Sequence, residues 1–82
     1  MKLQIVTPDA KVYEGEATAV QVPGSKGSFE VLDNHAPVVS SLDAGTVRVK
    51  EKGATHFFTI DGGVIEILNN KVVVLVESAT KQ

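Results

Sequence analysis

Thr46-Val47-Arg48-Val49-Lys50 alternates one residue at a time, with two valines for one side and a threonine and two charges for the other. That is a period of 2, the spacing at which successive side chains of an extended chain point to opposite faces. Leu3 and Ile5 alternate with Lys2 and Gln4 in the same way, and Thr18, Val20 and Val22 fall on one face of a further strand. No segment repeats apolar residues at i, i+3, i+4 and i+7, and only Glu77 to Gln82 is free to turn helical. Turn chemistry separates the runs: Thr7-Pro8-Asp9, the Gly-flanked tip Pro23-Gly24-Ser25-Lys26-Gly27, Asp43-Ala44-Gly45, Lys52-Gly53, Gly62-Gly63 and Asn69-Asn70. Asn69-Asn70 between two apolar strands predicts a two-residue type I′ hairpin, because Asn tolerates positive φ. The spacing predicts one all-β domain over residues 1–82, a two-layer sandwich or barrel of about eight to ten short, mostly antiparallel strands.

Composition narrows the function. The chain has 82 residues, room for one core, and a formal net charge of −2. Its Lys and Arg residues are scattered, so no basic face awaits a phosphate backbone and no nucleic-acid partner is expected. There is no cysteine, which removes disulfides, thiolate zinc sites and a nucleophilic Cys. Met1 to Ile5 reads directly as a strand with no apolar run behind it, so no signal peptide is expected. The longest apolar run, Val72 to Val76, is far short of the roughly 20 residues of a membrane span. A membrane is therefore expected to be met only through another protein.

Catalytic constellations are poor. Asp33 and His35, with His56 or Asp61, are the available metal ligands, but no HExxH, Cys or carboxylate cluster supports them. Ser40-Ser41 lacks a nucleophile elbow. The carboxylate pairs Asp33 with Asp43 and Asp61 with Glu66 lie beside turns, where Asp ordinarily bonds backbone N–H groups. No Gly-rich loop opens a helix to hold a phosphate. We expect no catalytic residue, no metal and no cofactor.

Two strands break the pattern. Lys71-Val72-Val73-Val74-Leu75-Val76 is apolar on both faces, and Thr55-His56-Phe57-Phe58-Thr59-Ile60 puts one Phe on each. A two-layer sandwich buries only its inner faces. The outer apolar residues either meet a partner or are simply exposed, as single valines often are. Leu32-Asp33-Asn34-His35-Ala36-Pro37-Val38 is a loop whose exit is pinned by Pro37. Such a rigid loop with a His at its tip suits protein contact, or is an ordinary connection with His35 bonded locally. Lys26, at a hairpin tip in an acidic β-domain, has the layout of a lipoyl or biotin carrier. Its flanks, Ser25 and Gly27, depart from the Asp-Lys-Ala and Met-Lys-Met of those carriers. A small-molecule-binding β-barrel is the other alternative.

Five stretches taken in order resemble a known family. Val12-Tyr13-Glu14-Gly15-Glu16-Ala17, Val22-Pro23-Gly24-Ser25-Lys26-Gly27-Ser28-Phe29, Asn34-His35-Ala36-Pro37, Ala44-Gly45-Thr46-Val47-Arg48-Val49 and Gly62-Gly63-Val64-Ile65-Glu66-Ile67 are similar to the N-terminal β-sandwich domain of the epsilon subunit of F-type ATP synthase. Val72 to Ala79 resembles its closing strand. The family commonly has Gly where this chain has Asn34, the next-best residue for a left-handed turn, and often Gly at Glu30, a change without a physical account. The family usually continues into two helices, so the sequence reads as a naturally short epsilon subunit or a trimmed one.

The resemblance implies a flattened sandwich and a non-catalytic rotor subunit of the central stalk, bridging the gamma subunit and the c-ring and coupling ion-driven rotation to ATP synthesis. It implies a place at the cytoplasmic face of a bacterial inner membrane, with membrane contact only through the c-ring. By carry-over, Ser25, Lys26, Gly27 and Ser28 with Asn34, His35, Ala36 and Pro37 are expected to face the c-ring. Thr7 and the outer-face residues Phe57, Val73 and Leu75 are expected to meet gamma.

Overall fold

A computed structural model describes all 82 residues. Ten strands follow one another: β1 (Lys2–Val6), β2 (Lys11–Glu16), β3 (Ala19–Val22), β4 (Phe29–Leu32), β5 (Val38–Leu42), β6 (Gly45–Glu51), β7 (Ala54–Ile60), β8 (Gly63–Leu68), β9 (Lys71–Val76) and β10 (Ala79–Lys81). They form two five-stranded sheets. Sheet I has the order β2-β1-β9-β8-β5, and sheet II the order β10-β7-β6-β3-β4. Every pairing is antiparallel except β1 with β9.

The alternation does what period 2 requires. Val47 and Val49 of β6, Leu3 and Ile5 of β1, Val72 and Val74 of β9 and Phe58 of β7 all point between the sheets and are almost wholly buried. No polar or charged residue is buried with them. Each such side chain contributes roughly 1.5–3 kcal/mol by leaving water, so the core rests on apolar packing. Thr18 departs from the expected face. It precedes β3, is exposed, and spends its backbone N–H and its hydroxyl on the Lys50 carbonyl.

Hairpins and corners share the connections. Asn69 and Asn70 have φ of 52° and 60°, the left-handed pair of a type I′ turn, as their sequence predicts. At Asp43-Ala44 and Asp61-Gly62 the chain instead crosses from one sheet to the other. Gly63 shows why the second corner needs glycine: a Cβ there would lie 2.1 Å from the Leu75 carbonyl oxygen. The six terminal residues do not turn helical. Ala79, Thr80 and Lys81 pair with Ile60, Thr59 and Phe58 as β10, and the Gln82 N–H bonds the Phe57 carbonyl. A helix that short cannot offset its nucleation cost, whereas the open edge of β7 offers a ready-made ladder. No helix is long and apolar enough to cross a membrane.

Candidate protein-contact surfaces

The outer face of sheet I can be read from its register. Val6, Leu75, Val64 and Ser41 lie side by side in one row, and Gln4, Val73, Glu66 and Val39 in the next. Val39, Leu68, Leu75 and Val64 are among the chain's most exposed large apolar residues, Val39 at 77%. Glu66 therefore stands among apolar neighbours: Val39 and Val73 across the strands, Val64 and Leu68 along its own. A groove lined by Val6, Thr7, Pro8, Val64 and Leu75 joins the first turn to this face. Thr7 closes that turn, exchanging hydrogen bonds with the backbone of Ala10.

Three of the four residues expected at a gamma contact, Thr7, Val73 and Leu75, thus come together. Phe57 does not. It sits on the outer face of sheet II, in the cross-strand row Glu30, Gln21, Arg48 and Phe57. There Arg48 donates from Nη2 to Glu30 Oε2 at 3.3 Å. Sequence reasoning missed Val39, Val64 and Leu68. The signal was present, since Val64-Ile65 and Ile67-Leu68 make that strand apolar on both faces as well.

Ser25, Lys26, Gly27 and Ser28 are all exposed at the β3–β4 tip. The root of this tip is tied to the β5–β6 corner, through Ser25 N–H to the Ser41 carbonyl at 3.0 Å and Asp43 N–H to the Pro23 carbonyl at 2.8 Å. Asn34, His35, Ala36 and Pro37 lie beyond the other end of β4. Asn34 adopts φ of 63°, the left-handed geometry for which Asn is suited. Its N–H bonds Asn70 Oδ1 at 2.8 Å, and the Met1 ammonium bonds the Asp33 carboxylate. His35 Nδ1 lies 2.7 Å from the Ala36 carbonyl oxygen. The loop is therefore held from two sides, while its own side chains face solvent apart from half-buried His35. The two expected c-ring segments are separated by the length of β4, roughly 13 Å of strand.

The remaining polar candidates are structural in position. Asp61 Oδ1 accepts from the Ser78 N–H at 3.1 Å, and Asp33 holds the amino terminus. No three His, Asp or Glu side chains stand together as a metal would require. A polar cluster between the sheets was not anticipated. Tyr13 of β2 reaches across to sheet II, where its phenol donates to Glu51 Oε2, and Glu51 Oε1 lies 3.3 Å from His56 Nε2. Burial and then the Glu51 carboxylate push the Tyr13 phenol well above the ordinary tyrosine range. The Tyr13 hydrogen bond, followed by that of His56, holds Glu51 below the ordinary carboxylate range.

The whole chain, residues 1–82, matches the family model described as ATP synthase, Delta/Epsilon chain, beta-sandwich domain. It is 44% identical over 79 residues to the ATP synthase epsilon chain of Maridesulfovibrio salexigens, covering 96% of this chain and 56% of that one. It is 39% identical to the epsilon chain of Pelotomaculum thermopropionicum, over 98% of this chain and 60% of that one. The chain thus spans a little over half the length of these relatives. Among solved structures, the fold is shared with a chain of the Euglena gracilis mitochondrial ATP synthase (OSCP/F1/c-ring). That match has a TM-score of 0.90 at 22% identity and covers 96% of this chain and 51% of that one. The fold is also shared with a chain of the Tetrahymena thermophila mitochondrial ATP synthase central stalk and c-ring. There the TM-score is 0.83 at 13% identity, over 96% of this chain and 64% of that one.

Proposed function

We propose, from the premise that this chain belongs to the family of ATP synthase delta/epsilon-chain β-sandwich domains, that it is a non-catalytic part of the central stalk which binds the gamma subunit and the c-ring and couples ion-driven rotation to ATP synthesis. The observation that carries this reading is the family match over the full 82 residues. The assignment replaces the carrier reading of Lys26. It makes the chain a peripheral part of a membrane-bound complex, at the cytoplasmic face of a bacterial inner membrane.

In this reading the outer face of sheet I meets gamma. Folding needs only the inner faces of a sandwich, yet this outer face carries exposed Val39, Val64, Leu68 and Leu75 near the Glu66 carboxylate. Glu66 there supplies one charged point of register for a partner cation, and the apolar rows supply the area. Phe57 belongs to the opposite face and lies outside a contact made this way. The c-ring contact is assigned to the Ser25–Ser28 tip and the Asn34–Pro37 loop. Because β4 is the open edge of sheet II, a contact running along that edge touches both.

Gel filtration of this chain mixed with gamma and with c-ring preparations tests the reading. Co-elution with gamma is the expected result. Elution of the chain alone, at concentrations where its relatives bind, overturns it.

A further inference from the structure

Strand β2 is attached differently from the others of sheet I. None of its six residues is fully buried, whereas its neighbour β1 places Leu3 and Ile5 entirely in the core. Its ladder with β1 shifts register between Ile5 and Val6, so pairing is irregular at the turn end. Against the core it offers only half-buried Val12 and Tyr13. The Tyr13 ring meets Phe58 edge-on at 5.6 Å between centroids and tilts over His56 at 5.9 Å. Its phenol ends on Glu51, whose second oxygen faces His56. Space for this reach comes from Gly15, where a Cβ would lie 2.8 Å from the Tyr13 hydroxyl oxygen and 3.3 Å from Glu51 Oε2.

We propose that Tyr13, Glu51 and His56 form a latch that holds β2 as a strap across the open side of the sandwich, and that neutralising the Glu51 carboxylate releases the strap while the rest of the fold stands. A phenol bonded to a carboxylate is a charge-assisted contact, and it weakens when the acceptor gains a proton. The titratable and charged groups facing Glu51 are Tyr13 from β2, His56 from β7 and Lys81 from β10. All three favour the ionised acid. The folded Glu51 titrates below its unfolded value, so the latch is intact above the ordinary carboxylate range and is lost as pH falls through the lowered value. Release uncovers the β1 edge from Lys2 to Val6, whose freed N–H and C=O groups can accept another strand. Glu14 ties β2 to its neighbours separately, on the outer face, through Gln4 and Lys11. The latch is a property of this chain whether or not it joins a rotor.

Amide hydrogen exchange on the full chain, read by NMR across a pH series, tests the latch. The readout is the protection of β2 amides relative to β9 amides. Tyr13→Phe keeps the ring packing and is expected to speed β2 exchange about tenfold or more with β9 unchanged. In the unaltered chain the ratio is expected to fall at acid pH. Glu51→Gln flattens that dependence, and Glu14→Gln preserves it. Equal acceleration of β2 and β9 in Tyr13→Phe, or an unaltered acid dependence in Glu51→Gln, overturns the proposal. If Tyr13→Phe does not fold, the Glu51→Gln series decides alone.

Discussion

Phe57 and Leu75 are equally exposed, each at 41%, and stand on opposite outer faces of the sandwich, Phe57 on β7 of sheet II and Leu75 on β9 of sheet I. A single flat partner surface cannot cover both. Leu75→Glu is therefore expected to abolish co-elution with gamma, and Phe57→Glu to leave it intact. Both positions face solvent in the free chain, so circular dichroism should show both variants folded. Loss of binding in Phe57→Glu alone would move the gamma contact to sheet II.

Ser28 and His35 flank β4 at opposite ends. Ser28 is exposed, and Ser28→Glu is expected to weaken c-ring attachment while leaving the melting temperature within a few degrees. His35→Glu is expected to weaken attachment too, with a small loss of stability because His35 is half-buried. A pull-down of each single variant with c-ring checks both. A ring contact confined to one end of β4 would leave one of the two variants at normal attachment.

Asn69 and Asn70 share left-handed geometry, but only Asn70 also accepts a hydrogen bond, from the Asn34 N–H. Asn69→Gly is expected to be neutral or slightly stabilising, since Gly takes positive φ without strain. Asn70→Gly is equally relaxed but loses the bond, at a cost of about 0.5–1.5 kcal/mol. That corresponds to a melting point lower by several degrees in a domain of this size. Asn70→Ala adds the left-handed penalty of roughly 1–2 kcal/mol. Thermal melts of the three variants should fall in that order.

Tyr13 is the single tyrosine of a chain without tryptophan, so its ionisation can be followed directly by tyrosinate absorbance. Its phenol is pushed upward by burial and by the Glu51 charge. A raised folded value means that this contribution to stability is fully present below the ordinary tyrosine range and is lost as pH rises through the folded one. The chain is expected to show no tyrosinate at pH values where a free tyrosine is half ionised. Glu51→Gln should bring the midpoint down. A titration indistinguishable from free tyrosine in the folded chain would contradict the Tyr13–Glu51 contact.

Most of the architecture was legible because period 2 is a local property. Val47-Arg48-Val49 and Leu3-Gln4-Ile5 announce which side faces in, and Asn69-Asn70 and Lys52-Gly53 announce hairpins from their own backbone preferences. Glu77 to Gln82 was the exception. Six residues without a decisive pattern take their conformation from whatever edge they meet, and β7 supplied it. The contact surfaces were half legible. That Phe57, Val73 and Leu75 point away from the core follows from alternation, but alternation does not say into which sheet a strand goes.

What the sequence determined by itself is therefore the strand content, the turn types, the inward set of side chains and, through its ordered motifs, the family. Tertiary structure alone decided that Thr7, Val73 and Leu75 share a face without Phe57, that the tip at Ser28 and the loop at His35 are a strand length apart, and that Tyr13 meets Glu51 and His56. The physical reason is the same in each case. Facing and turning are governed by neighbours one to four residues away, whereas sheet membership is governed by strand pairings such as Leu3 with Val72, and contacts between sheets by meetings such as Tyr13 with Glu51, both of which join distant parts of the chain.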